Sequence, residues 1–171
     1  MLINGKNISL RGLDIKDLDG DYIDWLNDAD VNFYNSHARF AYSKDMAKEY
    51  IDSIYKNKNQ LVCAIVENTN NKHIGNISLQ SIDYISSNAE LAILIGNNNH
   101  NKGIGYEASL LMIEHGFNQL NLHRIYCGTS SENIGMQKLA LKLGMKQEGI
   151  RKEAMFKNGK YVDIVEYGIL R

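Results

Sequence analysis

Two groups of residues in the middle of the chain have types and spacing that could do chemistry. The first is the loop NNNHNKGIG, which follows the apolar run NAELAILIG and opens into YEASLLMIEHGF. A loop at a helix start carries backbone N–H groups with no partner inside the helix. With roughly half a positive charge from the helix dipole, these donors make an anion site. Gly103 and Gly105 lack the Cβ atoms that would hold a phosphate away from the backbone. The expected phosphate cradle is formed by the N–H groups of Asn101, Lys102, Gly103, Ile104, Gly105 and Tyr106, with a plain structural loop between strand and helix as the alternative. Lys102 either adds charge there or is simply solvated. The second group centres on Glu90. Strand alternation over 89–95 puts it on one face with Ala92 and Leu94, an unusual neighbourhood for a carboxylate. A half-exposed Glu paired with a cation is the plain alternative.

Several chemistries fail on spacing. Gly103-Ile104-Gly105 is followed by Tyr106, Glu107 and Ala108, which breaks the Rossmann G-x-G-x-x-G pattern, and no G-K-[ST] follows for a P-loop. His37, His73, His100, His115 and His123 have no metal-ligand spacing, so no metal is expected. Cys63 and Cys127 sit in apolar strand-like runs and read as buried reduced thiols. The net charge of −1 and pI near 6.5, with no basic patch, argue against nucleic acid as a partner. Apolar runs fall short of a membrane span and the N-terminus lacks a signal-peptide pattern, so no membrane partner and a cytoplasmic location are expected.

The elements that must position these groups follow from periodicity, and 171 residues suit one domain. A first strand covers 8–13, with Arg11 opposite its apolar neighbours. Asp14 caps a helix carrying Leu18, Tyr22, Trp25 and Leu26. An irregular segment, NDADVNFYNSHARFAYS, is long enough to suggest that it binds something. Ser43 caps a second helix with Met46, Tyr50, Ile51 and Ile54 inward. Strands cover 61–66, 74–82 and 89–95, and the central helix carries Tyr106, Leu110, Ile113 and Phe117 in one row, flanked by Ile104, Ala108 and Leu111. A strand at 123–128 precedes a helix capped by Asn133, with Met136, Leu139, Ala140 and Leu143 on one face and Gly144 ending it. Asn158-Gly159 marks a closing hairpin between 145–156 and 161–170.

His100-Asn-Lys-Gly103-Ile-Gly105 resembles the Q/R-x-x-G-x-G/A acyl-CoA loop of the GNAT N-acetyltransferases, with His100 in place of Gln or Arg. WLND, NAELAILIG, LNLHRIY, the Asn133 helix ending in LGM, and EGIRKEAMFKNGKYVDIVEYGIL are similar to the branch of ribosomal-protein alanine and spermidine N-acetyltransferases. The resemblance implies an α/β (α+β) GNAT fold: a mixed, mostly antiparallel seven-stranded sheet with about four helices and splayed central strands. It implies acetyl-CoA as co-substrate, its pantetheine lying between the splayed strands, and a backbone N–H near Ile93, Leu94 or Ile95 polarising the thioester. Glu90 would be the catalytic base, usually through water. Asn133 would contact the coenzyme arm, besides acting as an N-cap. The Tyr that protonates the leaving thiolate in many members is replaced by Ala140, and Met136 stands where the ribosomal group often has Ser.

The early helices and the irregular segment would roof the acceptor site, so His37, Arg39 and Phe40 are candidate substrate contacts. Arg39 suits an acceptor carrying carboxylate or phosphate; a solvated surface Arg is the alternative. The expected reaction is direct acetyl transfer in a ternary complex to a primary amine. The acceptor is a small molecule such as a nucleotide-linked amino sugar, or a protein or peptide N-terminus. A polyamine acceptor is the alternative, as is a non-catalytic acyl-CoA-binding module, which would leave Glu90 without a purpose. A homodimer is compatible with the resemblance. Supplying a neutral alkyl amine of pKa ~10.4 at neutral pH costs about 4 kcal/mol, against about 1 kcal/mol for a peptide α-amine.

Overall fold

The apolar alternation of 61–95 builds the middle of one twisted sheet, seen in a computed structural model that describes residues 2–35, 37–96 and 103–171. The strands are β1 (Leu2–Asn4), β2 (Ile8–Gly12), β3 (Leu61–Glu67), β4 (His73–Asp83), β5 (Asn88–Ile95), β6 (Arg124–Ser130), β7 (Lys146–Lys157) and β8 (Lys160–Leu170). Their spatial order is β1-β2-β3-β4-β5-β6-β8-β7. Neighbours run antiparallel except β5 and β6, which are parallel. Among the described residues there are eight strands rather than the expected seven. The extra one, β1, is three residues long and pairs Leu2 with Arg11 and Asn4 with Ser9, too short for alternation to announce it. At the other edge Asn158 and Gly159 take φ of 52° and 80°, the left-handed pair that a two-residue hairpin turn requires.

Helices α3 (Ile104–Gln119) and α4 (Ile134–Lys142) cover one face of the sheet, while α1 (Tyr22–Asn27) and α2 (Lys44–Ile54) cover the other. The helix expected from Asp14 is two pieces. Asp14 caps a 3-10 turn, Ile15–Asp19, and α1 starts after Gly20. The break follows from Asp17, whose carboxylate is drawn inward to accept from Arg11 at 2.8 and 2.6 Å and from the Asp14 N–H at 2.8 Å. In α2 the buried residues are Ala47, Ile51 and Ile54, and Met46 faces solvent.

The central helix is rotated from the expected row. Ile104, Ala108, Met112, Ile113 and Gly116 are buried, whereas Leu110 is exposed and Tyr106 and Phe117 are only partly covered. At Gly116 the helix lies close to the sheet. A methyl group at Gly116 would come within 2.9 Å of Ile125 and 3.0 Å of Leu79. Gly116→Val is accordingly expected to destabilise by about 1–3 kcal/mol through overpacking, read from the urea midpoint at unchanged slope. Helix α4 matches the expected face, with Ala140 and Leu143 buried and Gly144 ending it at φ 84°.

Candidate active site

Strand β5 pairs with β6 only through Asn88↔Arg124, Ala89↔Ile125 and Glu90↔Tyr126. On its other edge the ladder with β4 continues regularly from Glu90 to Ile95. Beyond Glu90, therefore, β5 and β6 part. Alternate N–H and C=O groups of 91–95 turn towards the gap without a strand partner. A cleft of about 700 Å³ passes through the opening. Leu91, Ala92, Ile93, Leu94 and Ile95 form one wall, and Gly128, Thr129 and Ser130 the other.

On the α3/α4 side the cleft is bounded by Gly103, Gly105, Tyr106 and Asn133. Gly103 has φ 76°, which admits glycine far more readily than other residues. A Cβ at Gly105 would face Leu139 at 3.6 Å and Ile93 at 3.9 Å, so any longer side chain would grow between α4 and β5. The Ile104 side chain is buried in the core, which leaves only its backbone for a ligand. The Asn133 side chain accepts from the Met136 N–H at 3.0 Å while lining the cleft. His100, Asn101 and Lys102 lie outside the described residues. Two neighbouring anchors hold this end. Glu107 accepts from the Asn7 main-chain and side-chain N–H groups, each at 2.8 Å, tying α3 to the turn after β1. Trp25 packs so closely on Gly96 that a Cβ there would overlap its ring.

Lys138 and Lys142 also line this side, with the Lys142 ammonium 4.3 Å from the centre of the Tyr106 ring. Lys138 and Lys142 flank Ala140 in the sequence, and their four-residue spacing puts both on one helical face. Ala140 is fully buried and points into the core, not into the cleft.

Across the sheet, Glu90 stands where the strands fork. Leu91, Ile93 and Ile95 face the α3 side, while Leu94 packs with the opposite core, so alternation places Glu90 on the α1/α2 face as expected. Glu90 belongs to none of the ion pairs among the described residues. Burial raises its carboxyl above the ordinary range; the Arg151 charge lowers it and the Glu166 charge raises it. Arg151 and Glu166 are themselves paired at 2.8 Å.

Asp30, Val31, Tyr34 and Asn35 roof this side, with Met155 and Ile164 below. The irregular segment thus reaches the cleft, through residues earlier than those singled out in the sequence. Arg39 donates to the Phe156 carbonyl at 2.7 Å, Phe40 is 86% exposed, and the His37 carbonyl accepts from Lys157 at 2.9 Å. None of these three lines the large cleft. Among the described residues no cluster of three His, Cys, Asp or Glu could hold a metal, and no helix is long and apolar enough to cross a membrane.

A model of the acetyltransferase (GNAT) domain matches residues 7–146. The chain belongs to the GNAT acetyltransferase family. Over 169 residues it is 27% identical to the N-acetyltransferase p20 of Bacillus licheniformis, covering 97% of this chain and 94% of that protein. Its fold is similar to the crystal structure of spermidine N-acetyltransferase from Vibrio cholerae in complex with CoA and spermine. There the TM-score is 0.90 at 26% identity, over 97% of this chain and 96% of that one. The ribosomal L7/L12 acetyltransferase RimL in complex with coenzyme A also gives 0.90, at 16% identity over 99% and 98% of the two chains, a likeness of fold alone. This GNAT acetyltransferase therefore has a sheet that opens at the central parallel pair, with its cleft at that opening.

Proposed function

We propose that this acetyltransferase moves an acetyl group from acetyl-CoA to a small cationic primary amine, both bound at once in the forked cleft. One observation carries the reading. The cleft joins a glycine-lined helix start (Gly103, Gly105) to a carboxylate with no ion pair among the described residues (Glu90) through a gap between two strands. An extended acyl carrier fits such a gap, because the free edge of β5 offers backbone partners as a further strand would. Bound there, the coenzyme supplies an activated thioester. The N–H groups at the start of α3, with Lys138 and Lys142, would hold its phosphates. Asn133 and the β5 edge at Ile93 to Ile95 would hold its arm, and a β5 N–H would meet the thioester oxygen. Glu90, whose carboxyl is raised by burial, takes a proton from the acceptor ammonium directly or through water. The freed amine then attacks the thioester carbon, and the carbon–sulfur bond breaks with CoA leaving as its thiolate.

The other side of the cleft has Asp30 and Glu90 and no cation among its described lining residues. Arg39 is turned to the hairpin instead. This favours a positively charged acceptor over an anionic one within the cleft itself. A polyamine is the second reading, supported by those two carboxylates and by the similar Vibrio cholerae spermidine enzyme. A protein N-terminus is the third.

A free-thiol release assay with acetyl-CoA tests the proposal, using polyamines, amino sugars, nucleotide-linked amino sugars and peptides with Ala or Ser N-termini. Saturable turnover is expected with one amine class. Tight acetyl-CoA binding without turnover on any amine would favour the binding-module alternative. The coenzyme side has its own test. Gly105→Leu is expected to weaken acetyl-CoA binding at least about tenfold by filling the gap between Leu139 and Ile93. Calorimetry at constant thermal stability reads it, and unchanged affinity would move the coenzyme elsewhere.

A further inference from the structure

A second cavity, about 360 Å³, lies between the segment before α2 and the β7–β8 hairpin. Its lining residues are Ala29, Ala38, Arg39, Phe156, Lys157 and Asn158. Two cations from distant parts of the chain meet there, and each is held by the main chain of the other's segment. Arg39 donates to the Phe156 carbonyl at 2.7 Å, and Lys157 donates to the His37 carbonyl at 2.9 Å. Neither joins a carboxylate in any ion pair among the described residues. Neutral carbonyls orient these side chains but leave both charges uncompensated. The lysine ammonium and the guanidinium fork keep further N–H donors for a ligand. Burial and then the Arg39 charge hold the Lys157 ammonium below its ordinary value, as adjacent like charges require. Ala29, Ala38 and the Phe156 ring supply apolar walls. Left-handed backbone at Ala38 (φ 55°) and Asn158 (φ 52°) shapes both rims.

Two converging cations with unfilled donors, apolar walls and no acidic partner among the described residues suit an anionic group on an organic body. We infer that this cavity binds the phosphate or carboxylate group of a small organic molecule. It adjoins the acceptor side of the large cleft along both chain segments. Ala29 precedes Asp30 and Phe156 follows Met155, and Asp30 and Met155 both line that cleft. The anion is therefore either carried by the acceptor, at a distance from its amine, or belongs to a separate effector.

Inorganic phosphate titrated at constant ionic strength tests the site by chemical shift or calorimetry. Saturable binding is expected in the native protein and a loss of about tenfold or more in R39Q/K157Q. The charge-preserving R39K/K157R variant is expected to retain most of it, which separates lost charge from lost fold. Non-saturable binding, or equal affinity in the neutralised variant, would overturn the site. A second arm rests on the proposed acetyl transfer and compares glucosamine with glucosamine 6-phosphate. If the acceptor carries the anion, R39Q/K157Q raises KM about tenfold for the phosphorylated amine alone, with kcat unchanged. If the anion is separate, added phosphate changes KM for both amines in the native protein and for neither in the variant. Phosphate binding that persists with no thiol release from any amine would fault the acetyl-transfer reading and leave the cavity standing.

Discussion

Glu90→Gln is expected to lower kcat by about 10²-fold or more, the usual contribution of a general base, while acetyl-CoA affinity stays within about twofold. The residue sits at the fork of β5 and β6, on the sheet face away from α3, so the amide changes nothing at the helix start proposed to hold the coenzyme. The substitution nearly conserves volume, and no ion pair is lost with it. Activity should fall on the acid side as Glu90 is protonated. Because burial raises its carboxyl in the folded protein, that limb of kcat/KM lies above the ordinary carboxylate range. Glu166→Gln removes a negative charge that helps to raise Glu90 and frees Arg151, so the limb should move to lower pH. Removing the Arg151 charge should move it upward. A raised carboxyl also means that ionised Glu90 is less favourable folded than unfolded. Its stabilising contribution is present below the unfolded value and is lost as pH rises through the folded one, so at neutral pH the Gln variant should melt no lower than the native protein. Native turnover in the Gln variant would remove Glu90 from the mechanism.

Asp17→Ala is expected to cost about 3 kcal/mol of stability, the largest loss among the substitutions considered, because it strips several partners at once. The carboxylate is buried, with its side chain 4% exposed. It accepts both Arg11 bonds and the Asp14 N–H, and the His73 ring lies 3.4 Å away. The Arg11 side chain is 35% exposed, so water recovers part of its loss and keeps the cost below that of a fully buried pair. For a chain of this length the melting temperature should drop by roughly 6–12 °C. Burial acts to raise the Asp17 carboxyl, but the Arg11 and Asp14 bonds outweigh it, and the net shift is downward. The pair's contribution is thus present above the unfolded value near ~3.9 and is lost as pH falls through the depressed folded value. Equal acid stability of the native and Ala proteins would show that Asp17 does not hold the early strand and turn together.

Acetyl transfer should suffer in that variant only indirectly. Asp17, His73 and Trp25 form a packed series, with the His73 and Trp25 rings 5.1 Å apart, and Trp25 closes on Gly96 where β5 ends. Loosening the series would disturb the end of β5, beside the proposed coenzyme site, before it touched Glu90. A raised KM for acetyl-CoA at nearly native kcat would report that route.

Local chemistry made several features legible from the chain alone. Period-two alternation put Glu90 opposite Leu91 and Ile93. The helix start after Gly103 followed from the helical spacing of the apolar residues beyond a polar loop, the Asn133 cap from a side chain that accepts its own helix's N–H, and the hairpin from Asn158-Gly159. Such features are fixed by neighbours in sequence, and motif resemblance added the family. Long-range contacts decided the rest. The row Tyr106–Leu110–Phe117 was apolar enough to read as buried. The sheet's closeness instead turned Gly116 inward, since a Cβ there would crowd Ile125 and Leu79. Arg39 carried the right charge for a substrate contact, yet its partner is a carbonyl 117 residues away. Asp30 and Tyr34 lie in the irregular segment expected to bind something, but nothing local singled them out, because their place comes from a loop folding over a gap that opens where β5 and β6 stop pairing. The residue types, caps and turns were written in the sequence. Where the strands part, and which side chains then face the opening, depended on packing between segments that sequence order keeps far apart.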